Sequence, residues 1–216
     1  MSIRQKLLCL PLILGLAGCE STYYDVMEKV GVHKRDILID RVVEAQETQE
    51  EGQQQFRDAL EQFRSVVNFD GGELEDAYSR LNDEYEDSVA AAERIRDRID
   101  AVESVATALF DEWSGELEEY TSASLRRDSE RQLRDTRRSY DRLIAAMRRA
   151  ESSIDPVLAS LKDNVLYLKH NLNARAIASL KGELGTVNTD VDALIAAMQK
   201  AIDESSAFIS QMRGEG

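Results

Sequence analysis

The sequence predicts an all-α fold: an elongated antiparallel bundle of long helices, in effect an intramolecular coiled coil. Two observations carry that expectation. Apolar residues recur at alternating spacings of three and four along most of the chain, a helical seam rather than the period of two of a strand. Of 216 residues only Pro11 and Pro156 are proline and 6% are aromatic, too few turn and strand formers for a β-sandwich or barrel.

Residues 1–19 read MSIRQKLLCLPLILGLAGC. Arg4 and Lys6 form a short basic segment, and Leu7 to Leu16 an apolar run of ten residues. Spanning a bilayer takes roughly twenty apolar residues, so this run reads as a signal peptide and not a transmembrane helix. It ends in Leu16-Ala17-Gly18-Cys19. Small residues before a thiol suit a peptidase pocket, and the tetrapeptide resembles the bacterial lipobox. The resemblance implies cleavage before Cys19, a diacylglycerol thioether on its sulfur and an acyl chain on the new amine. Several chains make a stable anchor where one binds only marginally. In that same pattern Asp after the Cys implies inner-membrane retention, so Glu20 implies the outer membrane, at its periplasmic face. Cleavage removes Arg4, Lys6 and Cys9 and leaves no free thiol. The expected division is a signal peptide over 1–18, a lipidated tether over 19–23, one helical domain over 24–212 and a flexible tail over 213–216.

The first segment is expected from about Tyr24 to Asn68. Its seam runs Ile39, Val42, Gln46, Gln49, Gln53, Phe56, Leu60, Phe63, Val67. Three consecutive seam positions are Gln, which either fix register or mark a loose, hydrated stretch; the hydrated reading is the simpler one. Asn68-Phe69-Asp70-Gly71-Gly72 is the strongest turn signal in the chain. The second segment opens with Glu73, Glu75 and Asp76, acids that suit the positive end of a helix. Its seam holds phase over twelve positions: Leu74, Tyr78, Leu81, Tyr85, Ser88, Ala92, Ile95, Ile99, Val102, Ala106, Leu109, Trp113.

The rhythm weakens between Ser114 and Glu130, where a bend is expected, and resumes from Leu133 to Ile154. Asp155-Pro156 reads as a helix start, with Asp155 as the N-cap and Pro156 at the first helical position. The last segment is expected to run from there to Met212, weakened by Gly182 and Gly185. A helix of about 45 residues is about 68 Å long at roughly 1.5 Å per residue. Two arrangements are open: a four-helix bundle, or one very long central helix continuing through Gly115 with the first and last helices against opposite halves.

The formal charge is −14. It argues against a general nucleic-acid binder, which needs net Lys and Arg against phosphate. Two Cys exclude a disulfide scaffold. From Arg126 to Arg149 there are nine Arg and four acids; from Glu73 to Glu112 there are thirteen acids and four Arg. The Arg-rich stretch, with Arg126, Arg127, Arg131 and Arg134 foremost, is a candidate surface for lipid headgroups or polysaccharide. The simpler reading pairs it with the acidic helix. Lys29, His33, Lys34 and Arg35 form a smaller basic cluster close to Cys19 that would rest on anionic headgroups.

His33 and His170, the only histidines, sit in no metal-ligand spacing. There is no Gly-rich phosphate loop after a strand, no GxSxG, and no Glu three residues before either His. No catalytic residue, metal or cofactor is expected, and no small-molecule substrate. Tyr167, His170, Asn171, Asn173 and Arg175 stand in a stretch unlike generic coiled coil, where Asn in a helix marks a kink, a cross-helix hydrogen bond or a contact site.

Three motifs, GVHKRDILIDRV, VVNFDGGELEDAY and VLYLKHNLNARAIASL, together with the lipobox, resemble an uncharacterised domain-of-unknown-function family of Gram-negative lipoproteins. The resemblance spans the mature chain. It implies a helical envelope lipoprotein and supplies no activity or site residue. The functional expectation is a non-catalytic helical scaffold, anchored at Cys19 and binding an envelope protein. The alternative is a module for membrane headgroups or envelope polysaccharide.

Overall fold

A computed structural model of the chain describes residues 33–69, 71 and 73–214. The expected signal peptide, Cys19, the tether with Glu20, the start of the first segment and Lys29 lie outside the described residues. Five helices follow: α1 (Lys34–Val67), α2 (Leu74–Glu116), α3 (Ala123–Ser152), α4 (Ile154–His170) and α5 (Ala174–Arg213).

They make four antiparallel rods, because α3 and α4 share one rod. α1 packs on α2 and α5, while α3 and α4 pack on the same two helices from the other side. This is the up-down-up-down solution that short connections favour. A core of one continuous apolar cluster runs its length. Phe56, Phe63, Leu81, Ile95, Ile99, Leu143, Met147 and Phe208 are among its fully buried side chains. At about 1.5 Å per residue the 43 residues of α2 span roughly 65 Å.

α1 and α2 are joined at the expected turn, where Asn68 Nδ2 donates to the Arg64 carbonyl at 3.0 Å and Gly71 adopts φ +155°. The alternative with one central helix is ruled out. α2 passes through Gly115 but ends at Glu116, and the chain reverses over 117–122. Trp113 Nε1 donates to Ser129 Oγ at 2.8 Å across that reversal, and Ser122 Oγ accepts from the Leu125 amide to start α3.

Asp155 is not an N-cap. Ser153 holds that position, and α4 starts at Ile154. Pro156 is therefore the third residue of α4, where a missing N–H costs nothing intrahelical, but its ring displaces the carbonyl four residues back, at Ser152. That interrupts the rod at one residue. Asp155 instead accepts from Arg96 on α2 at 2.6 Å.

The last segment is also not continuous. It breaks at 171–173, where Asn173 Oδ1 accepts from the Arg175 and Ala176 amides at 3.0 and 3.2 Å and caps α5. Asn171 Nδ2 donates to the Tyr167 carbonyl at 2.8 Å. The two Asn thus end one helix and begin the next. α5 closes with Arg213, one residue into the expected tail, and Gly214 caps it in the left-handed conformation at φ +74°.

Neither Gly182 nor Gly185 interrupts α5, and a Cβ at either meets open space. Each is expected to stabilise the fold by about 0.5–1 kcal/mol when replaced by Ala, since helix propensity is the only quantity that changes. Raised thermal midpoints for G182A and G185A, additive in the double variant, check this.

Candidate functional site

The middle of the bundle is polar where the heptad pattern placed three Gln. Gln46 lies at the surface side and donates to Glu50 at 3.2 Å. Gln49 is 1% exposed, and neither amide atom meets a protein hydrogen-bond partner. Gln53 is buried and donates to the Ile195 carbonyl of α5 at 3.2 Å. Between them Gly52 lets α1 approach α2: a Cβ there would lie 2.7 Å from Ile95 Cδ1. The hydrated reading of this stretch is therefore overturned. The helices close on it because Gly52, Ala91 and Ala92 supply almost no side-chain bulk.

Beside this layer the Arg-rich helix pairs with the acidic one, as the simpler reading of the charge pattern expects. Arg148 on α3 donates to Asp100 at 2.6 Å, to Glu151 at 2.8 Å and to both oxygens of Glu103, the longer contact at 3.2 Å. Hydrogen bonding to the Glu103 carboxylate, above all, raises the proton affinity of its guanidinium. Arg96 completes the set by pairing with Asp155 and Glu151. Nine Arg in one stretch marked the region, but which of them crosses to α2 depends on the helix phase after the turn at 117–122.

Tyr140 adjoins the network. Its ring packs edge-on to Phe110 at 5.4 Å and to Phe208 at 6.5 Å. Burial, then the carboxylates of Glu103 and Asp141, push its hydroxyl up to about 12. A group whose folded pKa is raised stabilises the fold fully below its unfolded value near 10, and loses that contribution as pH rises toward 12. Stability should therefore fall by about 2 kcal/mol across that window. Urea melts at pH 9 and pH 11.5 should show a smaller loss for Tyr140→Phe than for the natural chain.

The candidate residues fall at the two ends of the bundle. At one end Lys34 is buried and pairs with Glu112 at 3.0 Å, while His33 and Arg35 are exposed. Arg35 lines a cleft of about 410 Å³ with Leu109, Trp113 and Met212. Also at this end, Arg126 sits between Glu118 at 3.0 Å and Glu130 at 3.1 Å, and Arg131 pairs with Asp128. Arg127 and Arg134 are exposed, with no ion pair among the described residues.

At the other end Tyr167, His170, Asn173 and Arg175 are exposed around the α4–α5 turn, with Asn171 half-buried. Tyr167 Oη lies 3.3 Å from Ser179 Oγ. The structure thus separates His33, Lys34 and Arg35 from the Tyr167–Arg175 group by the length of the bundle. Leu172 continues the expected seam of the last segment, yet it stands 41% exposed beside that group, as Leu166 does at 46%, because the helix ends at His170 before the seam reaches it.

Among the described residues no three His, Cys, Asp or Glu side chains are placed to hold a metal ion, and no helix is long and apolar enough to cross a membrane. A family model described as a protein of unknown function, DUF2959, matches residues 23–212. No curated protein and no solved structure matches the chain.

Proposed function

Because the chain belongs to this DUF2959 family of unknown function, we propose that it is a lipid-anchored, non-catalytic scaffold of the bacterial cell envelope. The observation that carries this reading is the tetrapeptide Leu16-Ala17-Gly18-Cys19 behind ten apolar residues. Cleavage there leaves a lipidated Cys only fourteen residues before His33, at the foot of the bundle. The tether sits in the outer membrane, facing the periplasm, and the bundle presents its far end to an envelope protein. A stiff rod of paired helices supports a positioning role, and Arg35, near the start of the described chain, faces solvent where it can meet headgroups.

The test is Cys19→Ala in the native host. Metabolic acyl labelling and membrane fractionation should find the natural chain labelled and in the outer-membrane fraction. The variant should be unlabelled and soluble, with unchanged helical circular dichroism. A variant still in the membrane pellet overturns the anchor. In-cell crosslinking from the far end, read by mass spectrometry, tests the partner.

A second reading, binding of headgroups or polysaccharide through the Arg-rich helix, is favoured by exposed Arg127 and Arg134. The scaffold reading is preferred because Arg126, Arg131, Arg138, Arg142 and Arg148 already pair within the chain. Sedimentation of the unlipidated chain with anionic vesicles, weakened by salt, would support the second reading.

A further inference from the structure

The far end of the bundle carries two groups of charged side chains that make no ion pair among the described residues. Between Glu73 and Asp87 there are seven acids and one Arg. None of those acids is in an ion pair among the described residues, and all but the half-buried Glu84 are exposed. Across from them, at the α4–α5 turn, Lys162, Lys169, Arg175 and Lys181 are exposed and also make no ion pair. Elsewhere the charges are mixed: Lys34, Arg96, Arg98, Arg126 and Arg148 pair within the chain, while Arg127 and Arg134 at the near end do not among the described residues.

Exposed apolar side chains sit within the basic patch. Leu166 is flanked on its own helix face by Lys162 four residues before and Lys169 three after. Tyr167 and Leu172 stand beside it, 39% and 41% exposed. One tip therefore carries an acidic face, a face of four cations interrupted by the exposed acids Asp163 and Glu183, and an apolar centre. A two-fold interface requires a surface that is complementary to itself. An acidic and a basic face side by side meet that requirement, since a two-fold rotation lays each on the other.

We propose that the occupant of this tip is a second copy of the chain: the acidic face over Glu73–Asp87 docks on the Lys169–Arg175 face of its partner, and reciprocally, around Leu166, Tyr167 and Leu172. This deepens the scaffold reading by naming one partner for its far end, and it does not need the lipid. Contact is confined to the tips, so the complex is weak and salt-sensitive: opposite charges steer and orient, and screening at about 0.5 M salt shortens their reach to a few ångströms.

The experiment is sedimentation of the Cys19→Ala chain purified without membranes, at 10 to 500 µM. The natural tip should give twice the chain mass at the upper concentrations in low salt, with the dissociation constant rising at least tenfold in about 0.5 M salt. Lys169→Glu/Arg175→Glu should stay at the single-chain mass. So should Asp83→Lys/Asp87→Lys. An equimolar mixture of those two variants restores opposite charge at both contacts and should recover the doubled mass. Arg127→Glu/Arg134→Glu, at the near end, should behave like the natural tip. A natural tip that remains single at every concentration overturns the proposal. So does a mixture that fails to associate while both variants keep full helicity. Neither outcome touches membrane anchoring or capture of an envelope protein, which fractionation and crosslinking decide separately.

Discussion

Phe56→Ala is expected to lower the stability of the bundle by about 3–5 kcal/mol. Phe56 is fully buried on α1, one turn from Gly52, where α1 meets both α2 and α5. Truncation removes the transfer free energy of an aromatic ring and leaves a cavity that three long helices cannot collapse without shifting along their whole length. At roughly 2–4 °C per kcal/mol for a domain of this size, the thermal midpoint should fall by about 10 °C. Circular dichroism at 222 nm checks it. Leu125→Ala serves as the control: Leu125 is 59% exposed on the first turn of α3 and its loss should barely move the midpoint.

Gln49→Leu is expected to act in the opposite direction, stabilising the fold by about 1–3 kcal/mol. An amide held in an apolar layer without a protein partner carries its full desolvation cost, and an apolar side chain of similar volume removes that cost. Gln53→Leu should be neutral or slightly destabilising, because it gives up the bond to the Ile195 carbonyl. Urea midpoints of the two variants, with unchanged slopes, separate these cases.

The helical class, the antiparallel hairpin at Asn68–Gly71 and most of the buried face of α2 were legible in the sequence. They follow from a periodicity maintained over twelve seam positions, which local propensity and packing both support. Breaks were harder to read. A seam with correct phase on both sides of 171–173 looks continuous, since a tight reversal preserves the spacing of Leu168 and Leu180 while redirecting the chain. Asn173, a strong capping residue one position before Ala174, carried the missing signal. Pro156 was placed two positions too early because a proline is welcome anywhere in a first turn, and only Arg96 drawing Asp155 outward shows which position it takes.

The candidate surfaces followed the same division. The Arg-rich stretch was visible as composition. Its separation into Arg148, committed to Asp100 and Glu103, and Arg127 and Arg134, left facing solvent, depends on the rotation of α3 about its axis. Gln46, Gln49 and Gln53 read in sequence as a loose interruption. In space Gly52 beside them brings the backbone of α1 against Ile95 and Met198 on other rods.

The up-and-down order of the rods also fixes how the molecule would answer a pull. His33 and Met212 line one pocket, so the first and last described helices leave the bundle at the same end. Traction between the two chain termini would peel α1 from α5 turn by turn, as a zipper opens, at low force. Traction between the N-terminus and the distant tip instead runs parallel to the axes, and every layer from Ile39 to Val67 would have to slide at once. A strut built this way is soft across its own ends and stiff along its length.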